Sequence, residues 1–479
     1  MTEPMPGSNP VAPGSVNSSL KKDKYMNALS LLLEALPSRV VTDPEELRQY
    51  RTDRSGHISS GVPIAAVHPR SIEDVQTVCR IAHEAGTPVV TRGAGSGLAG
   101  GAIAGSGEIV LSMESMTDIL EVSPANRLAV VQPGILNGAL NAELAGHGLW
   151  WTPDPASKDI STVGGNIAMN AGGLLCAKYG VTREAVLALK VVLADGRLIS
   201  VGHRTVKGVT GYDICALMIG SEGTLGIIVE CTLKLQPLPT GPTATIGAFF
   251  SGIEEAADAA AAITAAGLLP AIMELLDRRT LECVGTYTNQ NLLAQGSSYL
   301  LVQCDGPAAV EEADRVADII VAAGAEARIT LDPEETEHLV NIRRQAFPAL
   351  ESMGTMLVED VAVPRDRVSD VFRKSLELED RFGIMIPTAC HAGDGNLHPT
   401  FVYQGPTVPD EIWKAAGELF AYALELGGTL SGEHGIGLLK RHWLGDELGA
   451  DLLEIQQQIK GVLDPRNILN PGKIFPPAN

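Results

Sequence analysis

Three glycine-rich segments, each set where a strand pattern breaks off, constrain this chain more than anything else in it. They read "TRGAGSGLAGGAIAGSG" over 91–107, "STVGGNIAMNAGG" over 161–173 and "GSEGTLGI" over 220–227. Within the first, Gly95, Gly97 and Gly100 match G-x-G-x-x-G, which binds nicotinamide dinucleotides when it opens an amphipathic helix. Here glycine continues through Gly101, Gly105 and Gly107 into the strand pattern "EIVLSM", so no such helix opens. A loop this rich in glycine can still turn successive backbone N–H groups toward a pyrophosphate. One loop of this kind fits a surface loop equally well, whereas three in one domain favour a long cofactor threaded along the protein.

At 479 residues the chain exceeds what one hydrophobic core serves, and two or three domains are expected. Its formal charge of −21 repels nucleic acid and anionic membrane surfaces, so a small anionic substrate would need a local positive charge to bind. Seven cysteines (Cys79, Cys176, Cys215, Cys231, Cys283, Cys304, Cys390) are odd in number, scattered and without a C-x-x-C pair. That indicates a reducing compartment and no iron–sulfur cluster or zinc ribbon bound within the chain. The longest apolar run, about Ala259 to Met273, is too short to span a bilayer and reads as a buried helix followed by a strand. Residues 1–20 lack the basic start and apolar core of a secretory signal and read as a disordered tail.

From Ser71, "SIEDVQTVCRIAHEAGTPVVTRG" sets Ser at an N-cap, Ile72, Val75, Val78 and Ala82 at helical spacing, and Gly86 before a β-branched run. This predicts a helix feeding a strand. Everything to about Pro237 reads as one α/β unit, closed by the linker "QPLPTGP" at 236–242. Beyond it, "TATIGAFF", an alanine-rich helix and "AAGLLPAIMEL" are followed by "SSYLLVQCDG", "VEEADRVADIIVAAG" and "EARITL". Both runs read strand, helix, Ala-Ala-Gly, strand, with Gly267 and Gly324 as helix stops, and together they predict a ferredoxin-like split βαβ layer.

In "ACHAGDGNLHP", residues 389–399, Asp394 and Gly395 are expected to form a two-residue hairpin turn that sets His391 directly opposite His398. Opposed Cβ atoms lie about 5 Å apart, close enough for two imidazoles to bind one ion. Asp394 is assigned to the turn, where its side chain satisfies backbone groups. A second segment, "SGEHGIG" at 431–437, carries Glu433 and His434 side by side. On an extended backbone neighbours point oppositely, so one can be a ligand while the other faces a substrate. Two histidines and one carboxylate leave the open position that catalytic metal sites require. Arg343 and Arg344 in "NIRRQAFPAL" offer a bidentate clamp for a substrate carboxylate, although the pattern does not say which turns inward.

These segments, with "TGYDICALMIGSEGTLGI" and "NPGKIF", occur in one order over about residues 40–476. Together they resemble the FAD-linked oxidases and dehydrogenases of the vanillyl-alcohol oxidase superfamily, in the branch that holds the catalytic subunit of glycolate oxidase, D-lactate dehydrogenase and D-2-hydroxyglutarate dehydrogenase. The resemblance implies an α+β fold in three parts. A PCMH-type FAD-binding domain of two α/β subdomains would cover 21–240, a ferredoxin-like antiparallel-sheet substrate domain 241–425, and a C-terminal helical segment returning to the FAD domain 426–479.

By the same resemblance, FAD would be contacted by Arg92, Gly93, Ala94, Gly95, Ser96, Gly97, Leu98, Pro153, Gly164, Gly165, Asn170, Gly172, Glu222, Gly223, Ile228 and Asn470. The counterparts of His391, His398 and Glu433 hold a divalent metal, usually taken as zinc. The counterpart of His434 is the base, and those of Arg343 and Asn396 contact substrate. The FAD is expected to be noncovalent, because the family's tethering residues are His or Cys and neither occurs in "RGAGSGLAGG". Two positions depart from the hydroxyglutarate branch: Val358 replaces a lysine and Phe347 a threonine, both of which serve a dicarboxylate. The expectation therefore moves toward glycolate, D-lactate or a larger monocarboxylate.

The implied reaction is metal-assisted oxidation of a small D-2-hydroxy acid, with His434 taking the hydroxyl proton and a hydride passing to flavin. With no cluster in the chain, reoxidation needs a quinone, an electron-transfer flavoprotein or an iron–sulfur partner subunit. Four alternatives stand beside this: D-2-hydroxyglutarate dehydrogenation, a redox-neutral flavin reaction of the alkyl-glycerone-phosphate synthase type, a metallohydrolase and a noncatalytic flavin-binding protein. The expected setting is cytoplasmic, with any membrane association made through a partner, with no transmembrane segment and no nucleic-acid partner, and compatible with a homodimer.

Overall fold

The computed structural model describes residues 27–476, so the tail expected over 1–20 lies outside the described residues. Ser71 starts its helix as the pattern predicts. Its Oγ accepts from the Asp74 N–H at 3.2 Å, Val75, Val78, Cys79 and Ala82 are buried, and Gly86 ends the helix at φ +63°. This helix, Ile72–Ala85, shares a core with a four-stranded sheet in the order Val40–Val41, Ala65–Val67, Ile109–Ser112, Val89–Arg92, whose last three strands are parallel. The first glycine segment leaves the end of Val89–Arg92 and re-enters the sheet at Ile109–Ser112.

A five-stranded antiparallel sheet follows, in the order Ile119–Ser123, Leu128–Val131, Ile227–Lys234, Val186–Val192, Leu198–Gly202. The single unit expected before Pro237 is therefore two sheets, as the family resemblance implied. The residue pattern hid the division because only residues 113–118, opening with the 3₁₀ turn Met113–Ser115, separate them, a short connection without proline or glycine. The second glycine segment forms the short helix Val163–Met169, capped by Thr162 and ended by Asn170 at φ +51°. The third makes a turn into Ile227–Lys234, with Glu222 at φ +51°.

Beyond residue 242 the two strand–helix–strand runs fold as a ferredoxin-like layer, ordered Glu326–Thr330, Thr243–Phe250, Ser298–Asp305, Ile272–Leu276, all antiparallel. The sheet continues through Thr388–His391, Asn396–Tyr403 and Thr355–Val358. Side chains alternate across it. Met273, Leu275, Leu300, Val302, Cys390, Leu397 and Phe401 pack on helices Ile253–Ala265, Ala309–Ala322, Val368–Phe382 and Asp410–Glu425. Glu274, His391, Asn396, His398 and Thr400 therefore share the opposite face. Helices Arg278–Thr288, Pro333–Arg344 and Ala346–Glu351 cover part of that face.

After helix Leu444–Leu463 the chain returns to the first sheet: Leu469 bridges Val89 in parallel and the Asn470 N–H donates to the Val89 carbonyl at 2.8 Å. All seven cysteines are free thiols. Among the described residues no helix is long and apolar enough to cross a membrane.

Candidate active site

The histidine hairpin does not form the expected two-residue turn. Its loop spans residues 392–395, so His391 pairs with Asn396 and His398 with Ala389. Ala392 is drawn to the neighbouring strand, donating to the Met273 carbonyl at 2.8 Å, and the Asp394 carboxylate accepts from the Asn396 N–H at 3.2 Å. These two bonds set a register two residues away from the simple turn. Because side chains repeat every two residues, both imidazoles still leave the same face. They are diagonal neighbours with ring centroids 4.8 Å apart.

Glu433 reaches them from the 431–437 loop, with Oε1 3.5 Å from His391 Nε2 and 3.3 Å from His398 Nε2. Ligands about 2.05 Å from a tetrahedral ion stand about 3.3 Å apart, so the spacing suits one cation. One ligand atom from each of the three residues lies within 4.8 Å of the others. Among the described residues neither ring nitrogen of buried His398 has a hydrogen-bond partner, a state that favours binding something. Burial opposes charge on Glu433, yet the two imidazoles facing it outweigh this and hold its pKa well below the usual range. The donor set fits a divalent cation with a position left open.

Behind the cluster, Glu274 Oε1 lies 2.6 Å from His391 Nδ1, while its Oε2 accepts from Arg343 Nε at 2.7 Å. Arg343 is mostly buried, whereas Arg344 is largely exposed and pairs with Glu337. His434 stacks on His398 with centroids 5.1 Å apart, and burial pushes its pKa down to about 4, leaving an unprotonated base at neutral pH. Asp360 anchors the loop. Its Oδ2 accepts the N–H of Glu433 at 2.7 Å and of His434 at 3.3 Å, and its Oδ1 accepts from Ser431 Oγ at 3.0 Å. The buried Lys440 joins Asp360 at 2.6 Å and Glu359 at 3.2 Å.

One cavity of about 980 Å³ connects this cluster to the glycine segments, near the upper end for small-molecule sites. One wall includes residues 93–98, Gly164, Gly165, Gly172, Glu222, Gly223 and Ile228; the other includes Arg343, Arg344, Phe347, Val358, His391, His398, Glu433 and His434. Among the described residues, none of the six backbone N–H groups of 93–98 donates to a protein acceptor. A Cβ added at Gly97 would meet no atom within 4 Å. Free amides around open space form a cradle for a pyrophosphate, so this wall fits FAD.

Four expected FAD contacts, Arg92, Pro153, Asn170 and Asn470, and the expected substrate contact Asn396 do not line the cavity. Arg92 Nη1 donates to the carbonyls of Thr52 at 2.9 Å and Ala102 at 3.1 Å, which fixes the first glycine loop. Asn470 Nδ2 donates to Gly101 at 2.9 Å and Glu222 at 2.7 Å. The Pro153 carbonyl accepts from Asn137 Nδ2 at 2.8 Å, Asn170 ends its helix, and Asn396 Nδ2 donates to the Val361 carbonyl at 3.0 Å. Glu222 lines the wall, but its carboxylate accepts from the N–H groups of Ile436 and Gly437, each at 2.8 Å, and burial pushes its pKa up to about 7. Gly172 leaves room for the cluster itself, since a Cβ there would meet Glu433 Oε2 at 2.4 Å.

Glu274, Asp360 and Lys440 were not singled out by motif. A lone carboxylate inside the apolar "PAIMELL" and the pair inside "MLVEDVAV" are the signals that could have found the first two, because buried charges are rare unless partnered. Lys440 carries no such local signal.

Residues 63–202 match the FAD binding domain family, and residues 242–474 match the FAD linked oxidases, C-terminal domain. The chain is 38% identical over 420 residues to the glycolate oxidase subunit GlcD of Bacillus subtilis, spanning 86% of this chain and 89% of that one. It is 37% identical over 457 residues to the D-lactate dehydrogenase of Archaeoglobus fulgidus, spanning 94% and 99%. Among solved structures, p-cresol methylhydroxylase with substrate bound superposes with a TM-score of 0.79 at 18% identity, over 97% of this chain and 99% of that one, which is a likeness of fold.

Proposed function

Because this chain belongs to the FAD-linked oxidases of the vanillyl-alcohol oxidase superfamily, and is thus an FAD-dependent oxidoreductase acting on hydroxy acids, we propose that it oxidises a small D-2-hydroxy monocarboxylate of the glycolate or D-lactate type to the 2-oxo acid. The observation that carries this reading is the shared cavity, whose walls put a pyrophosphate-sized cradle and a His/His/Glu cluster within reach of one small molecule.

FAD, when bound, supplies the hydride acceptor, and a divalent ion held by His391, His398 and Glu433 would supply Lewis acidity at the substrate hydroxyl. The chain's own groups do the rest. Arg343, its Nε engaged by Glu274, has no partner for its Nη groups among the described residues, which leaves them for the substrate carboxylate. His434, neutral at pH 7, takes the hydroxyl proton, a role worth about 10²- to 10⁴-fold in rate. Asp360 and Glu222 hold the loop that presents it. At the distal end, Val358 and Phe347 give a second carboxylate no partner, at a cost of several kcal/mol, while each buried CH₂ gains about 0.8 kcal/mol.

The same reading divides the chain near residues 240 and 425, keeps the flavin noncovalent, and places the protein in the cytoplasm. It assigns reoxidation to a quinone, an electron-transfer flavoprotein or an iron–sulfur partner; a relative named as a subunit supports a partner. Acid precipitation should release the yellow colour into the supernatant, and colour left in the pellet would sink the noncovalent assignment. Substrate choice is tested by turnover with an artificial acceptor. D-lactate or a longer D-2-hydroxy monocarboxylate is expected to exceed D-2-hydroxyglutarate by at least about tenfold in kcat/KM. Equal turnover of the dicarboxylate would give Arg344, also on the wall, the missing lysine's role.

A further inference from the structure

We infer that Glu274 is a positioning residue that fixes the tautomer of His391 and the orientation of Arg343 at once, so that a metal ligand and the substrate clamp share one carboxylate. What the two partners bind rests on the function proposed above; the sharing does not. Glu274 is 1% exposed, and its neighbours along the strand, Met273 and Leu275, point into the apolar core on the other side of the sheet. Each of its oxygens has one donor: Arg343 Nε at 2.7 Å on Oε2 and His391 Nδ1 at 2.6 Å on Oε1.

An ionised carboxylate only accepts, so the His391 nitrogen facing it carries a proton, and Nε2 is the nitrogen left to offer a lone pair to a cation. Nε2 is the nitrogen that faces Glu433, at 3.5 Å. The opposite tautomer would bring a lone pair against Glu274 and a proton against the cation site. Carboxylates behind ligating histidines commonly act this way. Here the same group also binds the arginine from helix Pro333–Arg344, tying that helix to the sheet face.

The sharing makes a sharp chemical prediction for Glu274→Gln. A carboxamide has one accepting oxygen and one donating nitrogen, so it can satisfy either Arg343 or protonated His391 Nδ1 but not both. If it keeps His391, Arg343 loses its anchor, and KM for D-lactate is expected to rise at least about tenfold with bound metal retained. If it keeps Arg343, His391 must change tautomer, and metal retained after dialysis against a chelator is expected to fall at least about tenfold, within the range seen for such partners. A folded, flavin-loaded Glu274→Gln protein with both KM and metal retention within about twofold of wild type would overturn the inference.

A merely structural role would lower thermal stability without this split. Should the Gln variant fail to fold, Glu274→Asp carries the test: it keeps both accepting oxygens but is too short for both bonds, so at least one readout must move, and neither moving overturns the sharing. Metal retention is measured without turnover. Failure of every 2-hydroxy acid to reduce the wild-type flavin would thus sink the proposed function while leaving this inference separately decided.

Discussion

On one wall of the cavity the functional groups are backbone amides, and on the other they are side chains. The amide wall works through what is missing. Residues 93–98 keep their N–H groups free, and a Cβ at Gly93 or Gly164 would meet Thr162 Oγ1 at 2.2 Å or Pro133 Cβ at 2.5 Å. The side-chain wall works through what stands behind it: Glu274 behind His391, and Asp360 with Lys440 behind the 431–437 loop. The first wall is specified by local composition, the second by strand register and buried charge. Substitution should therefore separate binding of cofactor from chemistry.

The largest separation is expected at His434. His434→Ala should lower turnover by about 10²- to 10⁴-fold while flavin content stays at the wild-type level. A loss below tenfold would remove it from the proton-transfer step. The mirror case is Gly97→Leu, whose added side chain meets no protein atom near Cβ. Thermal unfolding of the apoprotein should change by no more than about 2 °C, while retained flavin should fall to less than about a tenth. Wild-type flavin content in that variant would show that the amides of 93–98 are not the cofactor cradle.

A smaller effect is expected within the side-chain wall. Val358→Lys should raise kcat/KM for D-2-hydroxyglutarate relative to D-lactate by about tenfold, because it supplies the distal carboxylate with a partner. No change in the ratio would place the distal end of the substrate elsewhere.

The smallest effect joins the two walls. Glu222 binds its proton more tightly folded than unfolded, since burial raises its pKa from 4.5 to about 7. Stability present below about pH 4.5 is therefore lost as pH rises through about 7. Glu222→Gln cannot titrate, so its Tm relative to wild type should improve between pH 5 and pH 8 by about 3 °C at most. A pH-independent difference would mean that the carboxylate is ionised when folded.

What could be read in advance follows the same division. The glycine segments, the Ser71 helix start and the strand–helix–strand repeat are local signals, and the fold places them as the patterns and the family resemblance indicated. The hairpin register was misread because a two-residue turn is decided locally only when nothing competes. Here the Met273 carbonyl captures Ala392, and Asp394 caps Asn396. The face of the histidines survived because the error was two residues. Glu274 lies 117 positions from His391, and Lys440 lies 80 from its partner Asp360, so no window along the chain shows either pairing. Only the folded sheet brings Glu274 opposite His391.

The central claim, that one substrate meets both walls, is tested most directly by anaerobic spectrophotometry of the yellow holoprotein during titration with D-lactate. Bleaching of the flavin band is expected with the metal-loaded protein, with at least about a hundredfold slower bleaching after chelation and recovery when zinc is restored. Undiminished bleaching after complete metal removal, with flavin still bound, would contradict the joint site formed by His391, His398 and Glu433 with the flavin wall.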